Sequence, residues 1–381
     1  MRRVLVSALV IAGLPASVGG QGGTLVLRGG TVHTAVGAVL RDATVVVENG
    51  KIAAVGERSS VRVPAGARVI EVAGRHVIPG LIDNHSHIGR KQGGRQGAAF
   101  RMIDNLDLSD PKWRIALSGG VTTVVTGPSG GNGIGGEAVA IKTFGPTLKQ
   151  RVLLENGGMK VAAGRREPES GMAVIAMLRE TFQRAREYDA RRPVAVIDSG
   201  LEAFARLLRR EDYVRVHVNA AQDIMAMLQL KDEFGFDLAL HHAVEAYQVA
   251  GEIAKRGVDV VTLPLFLRIP ISEEGMANAA RLSRAGVRVA FHQDDPVSST
   301  KWLRLNGGLA MRYGLPEKVA LAGVTIDAAR IARVANRVGS IEVGKDADLV
   351  ILDGPWYELL TRVDLVFVDG VLAYDRSSEQ R

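Results

Sequence analysis

The sequence of 381 residues contains no cysteine. Disulfide bonds therefore cannot contribute to its stability, and attachment of a lipid to a leader cysteine is excluded. Stability has to come from packing and from any metal that the protein binds. With 46% hydrophobic and 23% charged residues, the chain is long enough for one large domain and a smaller one.

The sequence also lacks blocks of lysine and arginine interleaved with aromatic residues, which are typical of nucleic-acid binding. The formal net charge is +7, but basic and acidic residues are scattered among one another. We therefore expect no nucleic-acid partner. The positive charge is more typical of a solvated surface, or of attraction to anionic substrates or membrane surfaces.

One long apolar run is present, and it lies at the N-terminus. Arg2 and Arg3 precede this run at residues 4–14, and Pro15 and small residues follow it. This order is typical of a cleaved export signal, and the run is too short to span a bilayer comfortably. We predict a signal peptide over residues 1–21 and a secreted or periplasmic mature protein. Because no second such run follows, we predict no membrane span after cleavage.

Short β-rich runs separated by turn residues occupy both ends of the remaining chain. Glu48-Asn49-Gly50-Lys51, between two apolar runs, is typical of a β-hairpin. A second hairpin is predicted around Asp369-Gly370, near the C-terminus. We predict that residues 22–77 and 337–381 together form one small β-sandwich domain.

Between these ends, apolar strand-like runs alternate with helical patterns. Eight βα units in about 260 residues match the size of a (β/α)8 TIM barrel, so we predict an α/β protein with this barrel at residues 78–336. The third unit is the weakest, because its connection at 143–159 has no clear helix. The eight predicted strands are residues 81–87, 122–126, 138–142, 159–163, 213–218, 238–242, 258–263 and 287–293.

Six of the eight histidines fall at predicted strand ends on one rim of the barrel, where such barrels carry their active sites. His85 and His87 end the first strand, and residues two apart on a strand point to the same face. Neutral imidazoles and carboxylates that converge on an open coordination position can hold a divalent metal that activates water. The remaining candidates at the rim are His217, His241, His242 and His292, with Asp294 and Asp295 beside the last.

Two lysines also lie near strand ends. Lys160 ends the fourth strand, and a neutral amine near two metals can react with carbon dioxide to give a carbamate, an anionic bridging ligand. Lys142, near the end of the third strand, is instead expected to be a surface or ion-pairing residue.

Strand alternation narrows the choice among adjacent candidates. Only one of His241 and His242 is expected to point inward, and the same choice exists for Asp294 and Asp295. His292 shares a face with Asp294 and is expected one layer deeper, where it would support the ligands.

Two motifs carry a resemblance to a known family. They are Ile78-Pro79-Gly80-Leu81-Ile82-Asp83-Asn84-His85-Ser86-His87 and the closing run GSIEVGKDADLV at residues 339–350. Between them the segments with His217, His242 and Asp294 follow in order. With these motifs the chain resembles the amidohydrolase superfamily, nearest its imidazolonepropionase-like members, over nearly everything after the leader.

The resemblance implies a ligand set and a cofactor. It implies a divalent metal, zinc by preference, with one or two ions per chain. It implies that Asp294 binds metal and takes the proton from the attacking water, while Asp295 points away or contacts substrate. The other implied ligands are His85, His87, His217, His242 and a carboxylated Lys160.

Three positions depart from the family pattern or stay open. The sixth-strand motif is His241-His242-Ala243, where many relatives have Glu-His-Gly. After Lys160 the chain carries Arg165 and Arg166 where an acidic position is expected, so a carboxylate ligand from that loop is in doubt. These arginines could hold a substrate carboxylate or belong to a solvated loop. Glu137, just before the third strand, is a further candidate metal ligand.

We therefore expect an exported metal-dependent amidohydrolase. A metal-activated hydroxide would attack an amide, cyclic amide or dipeptide-like carbon–nitrogen bond, with Asp294 as base and then as acid. Asn219, His292 and the two arginines are expected to contact a small-molecule substrate. The alternatives are a mononuclear hydrolase or deaminase of the same fold, with a structural Lys160, and a non-catalytic metal- or ligand-binding relative. A homo-oligomer is compatible with the sequence.

Overall fold

The computed structural model describes residues 23–91, 96–130, 133–164, 171–264 and 272–379. The predicted signal peptide lies outside these residues, as do Arg165 and Arg166. Within the described part of the chain, no helix combines the length and the apolar character needed to cross a membrane.

The chain alternates between strands and helices over most of its length. The strands of the described residues are β1 (Leu25–His33), β2 (Val39–Glu48), β3 (Lys51–Glu57), β4 (Arg68–Glu71), β5 (His76–Pro79), β6 (Leu81–Ser86), β7 (Val121–Thr126), β8 (Ile134–Glu137), β9 (Val139–Lys142), β10 (Val152–Leu154), β11 (Met159–Ala162), β12 (Val214–Val218), β13 (Leu238–His242), β14 (Asp259–Thr262), β15 (Val289–Phe291), β16 (Leu349–Leu352), β17 (Val363–Val368) and β18 (Val371–Asp375). The α-helices there are α1 (Lys112–Ser118), α2 (Leu148–Arg151), α3 (Gly171–Asp189), α4 (Ser199–Leu208), α5 (Ala221–Phe234), α6 (Ala250–Lys255), α7 (Glu273–Met276), α8 (Asn278–Arg284), α9 (Leu303–Arg312), α10 (Glu317–Val324) and α11 (Ile326–Ile331).

Strands from both ends of the chain pair in one eight-stranded sheet. Its order is β18-β17-β16-β5-β1-β2-β3, and β4 pairs with β1. The antiparallel pair of β5 and β16, with Val77 opposite Ile351, joins the early and late segments. The predicted hairpin at Asn49-Gly50 is present, with φ angles of 51° and 76° that suit a type I′ turn. A division of these strands into two facing layers, as in a sandwich, stays a prediction.

The intervening strands form two further sheets that close on each other. Their orders are β10-β9-β7-β6 and β15-β14-β13-β12-β11-β8. At one edge the backbone N–H of Asp294, beyond β15, donates to the carbonyl of His85 on β6 at 3.0 Å. At the other edge only Ala138 separates β8 from β9. The strands therefore surround a common interior as a barrel.

The third strand of this barrel corrects the prediction of eight parallel strands. It consists of β8 and β9, and β9 runs antiparallel to β7 while β8 runs antiparallel to β11. The connection from Thr126 to Ile134 contains seven residues, residues 127–133, and a parallel return needs a crossover of a dozen or more. Because β9 is reversed, its last residue, Lys142, lies at the opposite end of the barrel from the predicted rim.

Alternation of side chains along the strands divides the core into two parts. Leu240 and Val260 belong to the large cluster in which strands pack against helices such as α3. Their neighbours Ala239 and Val261 belong to a smaller cluster with Ala290, which lies inside the barrel. The interior is lined at this level by small residues, so the inward-facing histidines farther along the strands come close together.

Lys142 connects the barrel with the terminal sheet. Its side chain is fully buried, and Nζ lies 2.8 Å from Asp346, 2.9 Å from Asp348 and 2.7 Å from Asp369. Burial alone would lower the pKa of Lys142, but the three carboxylates outweigh it and hold the pKa above 10.5. Lys142 is therefore an ion-pairing residue, as expected. Asp346 and Asp348 come from the closing motif, which explains why that motif combines charge with burial.

We predict that Lys142→Met destabilises the protein by about 3–5 kcal/mol, because it removes the cation paired with the buried carboxylate of Asp348. Urea unfolding followed by circular dichroism measures the change. Lys149→Met, at an exposed lysine on α2, is the matched control and should change the free energy of unfolding by less than about 0.5 kcal/mol. Equal stability of the two variants would contradict a connecting role for Lys142.

Candidate metal centre

His85, His87 and Asp294 converge at the carboxyl ends of β6 and β15. The Nε2 atoms of His85 and His87 lie 3.6 Å and 3.4 Å from Oδ1 of Asp294, and the three residues form a group that could hold a metal ion. Nδ1 of His87 lies 2.7 Å from the carbonyl oxygen of Gly127 and so donates its proton there. The lone pair of His87 is therefore on Nε2, which faces Asp294.

A second group of possible ligands shares His85 with the first. It contains His217 from β12 and His242 from β13. The ring centroids of His217 and His242 are 4.0 Å apart, and that of His242 is 4.9 Å from His85. Nε2 of His242 lies 3.8 Å from Oδ2 of Asp294. Asp294 thus faces both groups, with one oxygen toward each.

Lys160 lies beside the shared histidine. Its Nζ is 2.8 Å from Nε2 of His85, and its side chain is buried. Glycine at position 135 leaves space beside it, because a Cβ there would lie 3.1 Å from Cγ of Lys160. The predicted set of His85, His87, Lys160, His217, His242 and Asp294 is therefore brought together.

The electrostatics favour the protonation states that bind metals. Burial, followed by the charge of Lys160, lowers the pKa of His85 well below 6.5, and burial lowers that of His242 likewise. Burial opposes ionisation of Asp294, but its close approach to His87 and the charge of Lys160 outweigh it, so its pKa lies below 3.8. Neutral imidazoles and an ionised carboxylate are the ligand forms that divalent metals require.

The expectation that only one of His241 and His242 points inward is wrong. Nδ1 of His241 lies 3.1 Å from Nδ1 of His85, while the ring of His242 packs against His85 from another side. His242 has a left-handed backbone with φ of 67°, and Ala243 follows with φ of 46°. Strand alternation ends at this point, so both rings reach the centre.

The polar residues that follow the eighth strand have different roles. Asp294, with φ of 56°, faces the histidines. Asp295 points away, and its Oδ1 accepts a hydrogen bond from Lys112 at 2.8 Å. The ring of His292 is fully buried, stacks on His85 at 5.0 Å and lies 4.4 Å from His242. Burial lowers the pKa of His292 to about 3, so this ring is a neutral neighbour of the ligands.

The other predicted site residues have different surroundings. Asn219 lines a pocket of about 190 Å³ that His217 and Asp223 also line, so it lies next to the candidate centre. The carboxylate of Glu137 is buried against Arg206, with which it forms an ion pair. Glu137 therefore does not belong to either group of possible ligands found among the described residues.

Asp83 supports the site through its hydrogen bonds, a role that the sequence pattern did not predict. Its Oδ1 accepts from the backbone N–H of His85 at 3.1 Å and of Gln293 at 3.3 Å, and its Oδ2 accepts from Oγ1 of Thr300 at 2.9 Å. Asp83 thus ties the segment that carries His85 to the segment that carries Asp294. Burial raises its pKa to about 7. An acidic residue directly after the apolar pair Leu81-Ile82, two residues before His85, was the signal that could have revealed it.

Comparisons with known proteins agree on one family. The model of the amidohydrolase family matches residues 76–373. The amidohydrolase tasK of Hapsidospora irregularis is 28% identical over 87% of this chain, which spans only 40% of that protein's length. An imidazolonepropionase of Geobacillus sp. is 27% identical, with 89% of this chain and 90% of that protein covered.

A solved structure extends the agreement to the fold. The amidohydrolase from Thermotoga maritima superposes with a TM-score of 0.85 at 28% sequence identity, and the match covers 92% of this chain and 100% of that chain.

We predict that Asp83→Ala destabilises the metal-free protein by about 3 kcal/mol, because two backbone N–H groups and a hydroxyl lose their buried acceptor. Asp83→Asn keeps one oxygen for the two N–H groups and should lose clearly less stability. Thermal unfolding of both variants measures which of them is less stable, and Asp104→Ala, at an exposed residue, is the control. Equal losses in the alanine and asparagine variants would contradict the tie between the two segments.

Proposed function

The chain belongs to the amidohydrolase family, as an imidazolonepropionase-like member and a hydrolase of carbon–nitrogen bonds, and from this premise we propose that it is an exported, metal-dependent enzyme acting on a small amide, cyclic amide or dipeptide-like substrate. The observation that carries this proposal is the position of His85. It belongs to both groups of possible ligands and lies 2.8 Å from Lys160.

The residues present fit a divalent metal. Imidazole nitrogens with carboxylate oxygens form a donor set typical of zinc, and each of the two groups offers three ligands and leaves positions open. We propose zinc, with one or two ions per chain. A bound zinc ion would lower the pKa of a water molecule toward neutrality and polarise the substrate carbonyl.

Asp294 is the group proposed to move the proton. It is ionised and lies between the two groups, with Oδ1 near His87 and Oδ2 near His242. In this position its carboxylate takes the proton from the attacking water and returns it to the leaving nitrogen. His87 keeps its Nε2 turned toward Asp294 because Gly127 holds Nδ1.

Lys160 is proposed to be carboxylated. Its neutral amine would take up carbon dioxide, forming one nitrogen–carbon bond and releasing one proton, and the product is an anionic ligand able to bridge two metals. What supports this is the position of Nζ at His85, the ligand that the two groups share. An uncharged lysine amine is favoured next to cations and in a buried site.

Substrate contacts are proposed on the side of His217. The pocket there is lined by Asn219, which can position an amide group by hydrogen bonding, and it opens beside a possible metal ligand. Arg165 and Arg166 remain candidates for holding a substrate carboxylate. They follow Gly164, which also lines this pocket.

We predict that the wild-type protein binds one or two zinc ions and hydrolyses members of an amide, cyclic amide and dipeptide panel. His85→Ala removes a ligand from both groups and should lose metal and activity together. Asp294→Asn should lower kcat by about 10²–10⁴-fold, the range expected for a lost general base. Elemental analysis measures metal content, and product release measures rates.

His76→Asn is the control for this experiment, because His76 pairs with His33 in the terminal sheet at 2.9 Å, outside both groups. It should keep metal and activity. Full hydrolysis by thoroughly metal-free protein, or undiminished metal binding in His85→Ala, would refute the proposed function.

Export is supported by the order of charge, apolar run and small residues at the N-terminus. When the full chain is produced in a Gram-negative host, we expect mature protein in the periplasmic fraction, with an N-terminus near residue 21. Edman sequencing of the recovered protein measures this. Uncleaved protein confined to the cytoplasm would contradict export and would leave the proposed reaction intact.

A further inference from the structure

His85 and His87 differ in the partner of their Nδ1 atoms. Nδ1 of His87 donates to a backbone carbonyl, that of Gly127, as metal ligands commonly do. Nδ1 of His85 has no such carbonyl and faces Nδ1 of His241 at 3.1 Å. The ring centroids of His85 and His241 are 5.1 Å apart, with planes tilted by 59°. The two nitrogens therefore point at each other and form a hydrogen bond between two imidazoles. One nitrogen must donate while the other accepts.

The direction of this hydrogen bond follows from the other side of His85. Its Nε2 faces Asp294 and Lys160, where a lone pair is needed for a metal. A neutral imidazole carries one proton, so the proton of His85 is on Nδ1 and is donated to His241. The proton of His241 is then on its Nε2, which has no hydrogen-bond partner within the described parts of the chain.

A fixed cation lies near His241. His241 is almost fully buried, and the charge of Arg215 acts on it. Arg215 lies on the neighbouring strand, two residues before the residue paired with His241. Its guanidinium donates to the carbonyls of Gly157 and Asn84 and is therefore fixed in place.

We propose that His241 is a positioning residue that fixes the tautomer and the ring orientation of His85 as a metal ligand. The inference rests on the proposed metal-dependent function. It gives a role to the residue that departs from the sixth-strand pattern. His241 does not itself bind the metal, because the nitrogen on the side of His85 accepts the hydrogen bond from that ring.

Three substitutions separate this role from packing. In His241→Asn the amide oxygen stands close to where Nδ1 stood, so it can accept from His85. In His241→Gln the amide oxygen lies one bond farther out, near the former Nε2, and misses His85. His241→Leu fills similar space without any acceptor. Asn and Gln differ little in polarity, so their comparison stays informative even if the leucine variant fails to fold.

The measurement is zinc affinity by competition with a chromophoric chelator, on metal-free protein whose thermal unfolding has been checked. We expect zinc to bind about 10–100-fold more weakly to His241→Gln and His241→Leu, the usual effect of losing the partner of a ligating histidine. His241→Asn should stay within a few-fold of wild type. His76→Asn, a substitution in the histidine pair outside the site, should leave the affinity unchanged.

The outcomes distinguish failure of the positioning role of His241 from failure of the proposed function. The positioning role is overturned if all three variants bind zinc like wild type, or if His241→Leu binds zinc more tightly than His241→Asn does. The proposed function stands in either case. If wild-type protein binds no zinc at all, the proposed function fails first, and the role of His241 fails with it.

Discussion

The structure of the site depends on one histidine that is fixed from every side. The backbone N–H of His85 donates to Asp83, and its carbonyl accepts from Asp294, which joins the first strand of the barrel to the segment after the last. Nδ1 of its ring meets His241, while Nε2 is turned toward Lys160 and Asp294. Closure of the barrel and assembly of the candidate centre are therefore the same set of contacts. A side chain held in this way is oriented without the help of a metal ion.

The opposite end of the barrel is held by a different kind of interaction. Lys142 is buried among three aspartates, two of which belong to the closing segment of the chain. The terminal sheet is joined to the barrel through this cluster, at the end away from the histidines. Because the third strand runs antiparallel, its lysine can reach the terminal sheet, while Glu137 pairs with Arg206. The reversed strand thus contributes to the joining of the two units.

Much of this could be predicted from the sequence, for physical reasons that differ between residues. Strand ends bearing His85, His217 and Asp294 follow from apolar runs of strand length that stop at polar residues, and seven of the eight barrel strands run as predicted. The third did not, because runs of apolar residues carry no direction, and only the shortness of the loop before Ile134 indicates reversal. The inward turn of His242 depends on a left-handed backbone that alternation cannot reveal. The roles of Asp83 and His241 depend on contacts between strands far apart in the chain.

We propose that His85 binds a metal ion through Nε2, in a centre shared by two groups of possible ligands. Anomalous diffraction at the zinc edge, from crystals of zinc-loaded protein, locates the ion. We expect a peak about 2.0–2.1 Å from Nε2 of His85, the usual zinc–nitrogen distance, with Asp294 or His217 and His242 completing the coordination. Zinc peaks in loaded crystals that all lie away from His85 would contradict it.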